Sequence, residues 1–187
     1  LVTPDMKVLD PSCGSGVFLV RAFQRLVTAW IRDHKGERPN LSQLNTLAVQ
    51  NIFGVDISAA AVQIAEFSLY LAIIDALDEE TLHTEKLSFP SLLNKNLLVG
   101  DFFTKKIQKQ LQNYRFDRII GNPPWKSQLT KHAEMWLTEH SLEVGDNQIA
   151  QAFLLAASEM TSTDGEIAML APAKGTLHVT SGPHDTF

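Results

Sequence analysis

Two rhythms of apolar residues alternate along the chain. Short, nearly continuous apolar runs that close on an acid are separated by longer stretches whose apolar residues return every three or four positions. "MKVLD" (6–10) predicts a first strand. "GVFLVRAFQRLVTAWIRD" (16–33) predicts a helix with Phe18, Ala22, Leu26 and Ala29 near one face, and the polar "HKGERPN" breaks it. "NIFGVD" (51–56) predicts a second strand, followed by a long helix over 58–77 with Ser58 as its N-cap. A loop containing Pro90 leads to a third strand, "NLLVGD", and a short basic helix to a fourth, "FDRIIG" (116–121). A further helix, "NQIAQAFLLAASEMTS", and a fifth strand, "GEIAMLAP", complete the pattern, with no repeat or low-complexity tract. Strands alternating with helices predict an α/β fold whose mostly parallel sheet is covered on both faces by right-handed crossovers.

Composition narrows this without redirecting it. A length of 187 residues, 44% hydrophobic and 20% charged, suits a single domain with a full core. The most apolar helix segment, "FSLYLAIIDAL", is interrupted by polar residues, so no membrane span and no membrane partner are expected. A single cysteine excludes an internal disulfide framework and fits a reducing compartment; with no basic-then-apolar leader, a cytoplasmic location is expected. The chain opens on Leu1 almost directly before its first strand, and the expectation is a piece of a longer polypeptide. A net charge of −5 does not advertise a nucleic-acid binder. Locally, however, Lys105, Lys106, Lys109, Arg115, Arg118, Lys126 and Lys131 stand against the single acid Asp117. A solvated helix face and phosphate contact account for this run equally well; for the second, Lys126 and Lys131 are the candidates.

In open parallel sheets, ligands bind outside the carboxyl ends of the strands, where the strand order reverses. Asp10, Asp56, Asp101 and Asn122 each sit at or just after such an end. Any one alone reads as a turn residue; four delivered to one edge read as a site. In "VLDPSCGSGVFL", Gly14 and Gly16 let the backbone turn and approach a ligand before a helix N-terminus. The motif is neither the dinucleotide fingerprint, since Leu19 holds the third glycine position, nor a phosphate-binding P-loop. A carboxylate in front of that turn, Asp10, suits an ammonium group. Asp56 suits the two hydroxyls of a ribose, and Asp101 an adenine amine, with Ile57 or Phe102 against the ring. These three holders describe S-adenosylmethionine better than NAD or ATP. Cys13 reads as a small packing residue. The histidines lack the spacing of a metal site, so no metal is expected; His132 and His140 fall in a polar region and read as surface residues. Residues 126–146, with Trp136, read as a lid or a substrate-facing loop.

The ordered series "DPSCGSG", "FGVDI", "VGDFF" and "IIGNPPW" resembles the N6-adenine DNA methyltransferases of restriction–modification systems, over 6–172. The resemblance implies a Rossmann-like class I S-adenosylmethionine-dependent methyltransferase fold, and one catalytic domain over 1–187, truncated at both ends. It implies that Asp10, Pro11, Ser12, Cys13, Gly14 and Gly16 line the methionine part of the cofactor. Asp56 and Ile57 would meet its ribose and adenine, Asp101 and Phe102 its adenine, with Asn122 close by. Asn122, Pro123, Pro124 and Trp125 would hold a flipped-out adenine of double-stranded DNA. The Asn122 side-chain oxygen and the Pro123 carbonyl would accept its amino hydrogens from a loop that consecutive prolines stiffen, and Trp125 would stack on the base. Thr3-Pro4 lies too near Asp10 to serve as the family's aromatic-Thr-Pro element, which is not expected within these residues. Nothing after Pro172 reads as a closing antiparallel strand pair, and a target-recognition domain, with or without a nuclease, is expected elsewhere in a longer polypeptide. Release-factor glutamine methyltransferases and guanine-N2 RNA methyltransferases also use Asn-Pro-Pro-aromatic, and a non-catalytic module binding cofactor or DNA is the third alternative.

Overall fold

A computed structural model describes residues 1–171, apart from Glu85 and Ser127. The expected strand pair after Pro172 lies outside the described residues. Five strands form one parallel sheet: β1 (Val8–Asp10), β2 (Ile52–Asp56), β3 (Leu97–Val99), β4 (Phe116–Gly121) and β5 (Thr161–Met169). Their order is β3-β2-β1-β4-β5. The chain thus moves outward from β1 to β3 and then crosses back to lay β4 on the other side of β1. The reversal falls between β1 and β4, so the glycine loop and the Asn-Pro-Pro-Trp segment leave the sheet side by side.

Both faces are covered, and the strands show why. Adjacent residues of a strand point to opposite faces. Val8, Ile52 and Leu97 enter a core with helices α1 (Val17–Asp33), α2 (Leu41–Asn51) and α3 (Ala59–Ala76). Their neighbours Leu9, Phe53 and Leu98 enter a second core with α5 (Lys105–Leu111), α6 (Lys131–Glu139) and α7 (Ile149–Ser158). Runs buried on both sides read as continuous rather than alternating. The short helix α4 (Glu79–Thr84) lies in the connection to β3.

The structure corrects the sequence reading in several places, one of them the start of β5, which lies at Thr161 inside the expected helix and not at Gly165. Helix α2 was not anticipated, although Asn40 and Gln43 form a full capping box at its start. On α1 the buried residues are Leu19, Phe23, Leu26, Val27, Ala29 and Trp30, so Leu26 and Ala29 face the core as the spacing predicts. Phe18 and Ala22 are only half-buried and line an apolar groove of about 470 Å³ with Met6, Ile120 and Leu170. Helix α3, capped by Ser58 as expected, is by length and composition apolar enough to span a membrane, which the sequence reading denied. One face of it, with Val62, Ala65, Leu69 and Ile73, is buried in the first core, while Ile64, Phe67 and Leu71 are exposed. Finally, 126–146 is not a plain loop: it contains α6 and runs into a 3₁₀ turn at Gly145–Asn147.

Gly16 sits in close contact with α3. It caps α1 with φ +84°, and a Cβ there would stand 2.9 Å from the Cβ of Ala65. The left-handed backbone costs a non-glycine residue about 1–2 kcal/mol, and the clash adds to this. Gly16→Ala is therefore expected to lower the melting temperature by several degrees in a thermal unfolding scan; an unchanged transition would refute this account of the α1–α3 contact.

Candidate active site

The first of the site's parts is the turn after β1. Gly16 N–H closes it onto the Cys13 carbonyl at 2.8 Å, and Cys13 N–H ties it to the Val55 carbonyl of β2, also at 2.8 Å. Asp56, at the end of β2, completes the anchorage. Its Oδ2 accepts from Gly14 N–H at 2.9 Å and its Oδ1 from Ser58 N–H at 2.8 Å, where α3 begins. One carboxylate thus fixes the glycine loop and the next helix entry, and keeps lone pairs for further donors.

Asp10 is buried, with 1% of its surface exposed. Its Oδ1 accepts from Ser12 N–H at 3.0 Å, but its Oδ2 has no partner, and neither has the buried Oγ of Ser12. Burial, reinforced by the nearby charge of Asp56 and partly offset by the Ser12 N–H, raises the Asp10 carboxyl to about 7. Buried polar atoms are normally satisfied, so two orphans side by side mark a place where something else completes the bonding. Cys13 is buried against the first core, and burial pushes its thiol well above the ordinary range. It is a packing residue without thiolate character, as read from the sequence.

Across from this turn runs the end of β4. A Cβ on Gly121 would lie 3.0 Å from Asp10 Oδ1 and 3.6 Å from Ser12 Oγ. Glycine at 121 lets the two loops meet, a role the sequence reading missed; its signal was a glycine directly before the Asn-Pro-Pro-Trp segment. Asn122 is exposed and Pro123 buried. Trp125 is 61% exposed. Its indole N–H reaches the Leu170 carbonyl at 3.3 Å, and Leu170 N–H in turn donates to the Gly121 carbonyl at 2.9 Å. The ring is tethered at its edge with its surface largely open.

The turn after β3 supplies the third acid. Asp101 lines a cleft of about 110 Å³ together with Pro11, Ser12, Asp56, Ile57, Phe102 and Pro124. The structure thereby gathers residues of all four motifs around one hollow. Ile57 is 73% exposed at its mouth, whereas Phe102 is buried in the second core, stacked on Phe153. The opposite wall comes from Thr130, Ile149 and Phe153, none of which the sequence reading singled out. It also missed the position of His132: on the first turn of α6, its Nδ1 lies 3.2 Å from Asp101 Oδ2. The signal was available, since Thr130 caps a segment whose Ala133, Trp136 and Leu137 fall at helical spacing. His140 likewise is engaged, stacking on Trp136 and lying 3.4 Å from Glu159.

The basic run does not form one patch. Lys105 pairs with Glu139 at 2.8 Å and Arg118 with Glu166 at 3.3 Å. Lys126 and Lys131 are exposed and, among the described residues, not ion-paired. Among the described residues there is also no cluster of three metal-ligating side chains.

With this geometry in view, the chain can be set beside known proteins. Residues 50–182 match the Eco57I restriction-modification methylase family. The type II restriction enzyme and methyltransferase RM.Eco57I of Escherichia coli is 26% identical over 172 residues, 79% of this chain and 17% of that protein. The type II methyltransferase M.PaeR7I of Pseudomonas aeruginosa is 31% identical over 65% of this chain and 18% of its own length. This chain therefore spans less than a fifth of either relative. Among solved structures, a nuclease-deletion mutant of the type ISP restriction-modification enzyme LlaGI superposes over 90% of this chain and 16% of its own, with a TM-score of 0.67 and 17% identity. The M protein of the type I restriction enzyme EcoKI covers 90% of this chain and 30% of its own, with a TM-score of 0.58 and 15% identity. Those likenesses agree with the strand order in giving a Rossmann-like class I methyltransferase fold. Since the matched residues make up most of its length, the chain belongs to the Eco57I restriction-modification methylase family.

Proposed function

We propose that this chain is the catalytic core of a DNA methyltransferase that methylates N6 of adenine in duplex DNA, using S-adenosylmethionine, within a restriction–modification protein. The observation that carries the reading is the pair of orphaned buried atoms, Asp10 Oδ2 and Ser12 Oγ, on the turn that meets Gly121 at the switch point. An acid with no cationic partner fits the ammonium of that cofactor, which when bound supplies an electrophilic methyl group on sulfur. Asp10 and Ser12 would hold the methionine end, the spare lone pairs of Asp56 the ribose, and Asp101 the adenine amine, with Ile57 over the ring.

The other half of the site is the segment after β4. An exocyclic amine is a weak nucleophile because its lone pair is drawn into the ring. Two acceptors on its hydrogens, the Asn122 side-chain oxygen and the Pro123 carbonyl, favour a more tetrahedral nitrogen with its lone pair free. Two prolines fix the backbone that carries them, so little reorganisation is needed during reaction. The open face of Trp125 offers a stacking surface, worth about 1–3 kcal/mol per base, to a nucleotide turned out of the duplex. Exposed Lys126 and Lys131 follow Trp125 in sequence and suit phosphate contacts. The relatives' names, which include an adenine-specific methyltransferase PglX of Streptomyces coelicolor, favour DNA adenine over RNA or protein as the substrate.

The test uses the complete polypeptide that carries this segment, with methyl-labelled cofactor and duplex DNA, structured RNA and release factor as acceptors. Label in DNA recovered as N6-methyladenine is the expected product. Recovery as N4-methylcytosine would keep the amine chemistry and overturn the choice of base. Label in RNA or protein alone would overturn the DNA reading.

A further inference from the structure

We infer that His132 is a positioning residue for the cofactor: it orients the Asp101 carboxylate that receives the adenine amine. The inference rests on the reading of Asp101 given under the proposed function and adds a residue from a different element to it. Asp101 is held at two points. Its Oδ1 accepts from Phe103 N–H at 3.0 Å, within its own turn. Its Oδ2, the oxygen free of local backbone bonds, faces His132 Nδ1 at 3.2 Å. A carboxylate held at one oxygen still swings about its Cβ–Cγ bond; a donor on the second oxygen stops that rotation. The remaining lone pairs then keep a fixed direction.

His132 is suited to this task by where α6 places it. Thr130 Oγ1 accepts from Ala133 N–H at 3.1 Å and sets the start of the helix. Ala133, Trp136 and Leu137 are buried in the second core, with the Trp136 ring tilted against Phe103 at 6.1 Å. The helix is therefore anchored beside the turn that bears Asp101. The His132 side chain is itself 53% exposed while that of Asp101 is 12% exposed, so the histidine covers the outer side of a carboxylate whose inner side borders the cleft. Packing alone does not require an imidazole at so open a position. A hydrogen-bond donor to a charged acceptor does. The arrangement also gives α6, which follows the Asn-Pro-Pro-Trp segment, a direct bond to the cofactor side of the site.

The experiment measures binding of two ligands to the complete polypeptide: S-adenosylhomocysteine, and its analogue with hydrogen in place of the adenine amino group. Wild type is expected to prefer the amine-bearing ligand by about tenfold or more, the size of one hydrogen bond to a charged acceptor. His132→Ala should reduce that preference by about fivefold, through weaker binding of the amine-bearing ligand only. His132→Asn, whose amide N–H can take the place of Nδ1–H, should restore it to within about twofold. In turnover, the alanine variant should raise KM for the cofactor and leave kcat unchanged. Equal weakening of both ligands, or an undiminished preference in His132→Ala, overturns the role of His132 while the reading of Asp101 stands. A wild type that does not distinguish the ligands overturns the reading of Asp101 and this inference with it.

Discussion

Replacing Asn122 by alanine in the complete polypeptide is expected to lower kcat for DNA methylation by about 100- to 1,000-fold, the range for losing one preorganised acceptor or donor at a reacting group. Cofactor binding should change little. Asn122 is exposed beyond the sheet edge, whereas the buried anchors, Asp10 and Ser12, lie on the β1 turn. Asn122→Asp keeps an acceptor oxygen and should recover part of the rate. The geometry makes this a test of chemistry rather than of folding: Gly121 forms the packed contact with Asp10, and Asn122 follows it without a buried side chain. Single-turnover kinetics with saturating cofactor would check the expectation. An alanine variant within tenfold of wild type would remove Asn122 from the reacting centre.

The second large effect concerns Asp10, where binding and stability pull in opposite directions. Its carboxyl, raised to about 7 chiefly by burial, is half protonated near neutrality in the free protein. An ammonium ligand is held by the ionised form. Calorimetric titration with S-adenosylmethionine should therefore show affinity level just above pH 7 and falling about tenfold per unit as the pH drops below it, as the ligand must displace a proton. Asp10→Asn should flatten this dependence and weaken binding by about 150- to 4,000-fold, since a buried cation without its counter-charge costs about 3–5 kcal/mol. For the free protein the sign is opposite. The folded form binds the Asp10 proton more tightly than the unfolded chain, so its contribution to stability is fully present below the ordinary carboxyl range and is lost as pH rises toward 7. Asp10→Asn should hence be more stable than wild type at pH 8 without ligand, by denaturant unfolding. If it is less stable there, the unpartnered Oδ2 is satisfied in the free protein and the argument for an ammonium site weakens.

The strands show how much a one-dimensional pattern can carry. "FDRIIG" forms β4 over its full length, Phe116–Gly121, and "NIFGVD" forms β2 less its first residue. β2 is buried on both faces and its apolar run reports the sheet directly, whereas β4 buries Phe116, Ile119 and Gly121 and leaves Arg118 and Ile120 half-buried. Helix α2 escaped because its sequence, "LSQLNTLAVQN", mixes small polar residues into a weak stripe, and only the capping pair Asn40 and Gln43 signalled it. On α1, Leu26 and Ala29 are buried as the spacing predicts, whereas Phe18 and Ala22 border an open groove instead of the core.

The four motifs were legible because each sits where a strand ends, and strand ends are written locally as apolar residues followed by an acid or amide. Asp10, Asp56, Asp101 and Asn122 required no knowledge of contacts. What the sequence could not express is which of these ends become neighbours. The order β3-β2-β1-β4-β5 sets Gly121 against Asp10 and Ser12, ties Gly14 to Asp56, and leaves two polar atoms without partners. It also brings α6 over the β3 turn, which makes His132, a surface residue by its sequence context, the partner of Asp101. Periodicity along the chain fixes which residues face a core, because that depends on neighbours three or four positions away. Pairing between distant loops depends on crossover geometry, and only the folded sheet decides it.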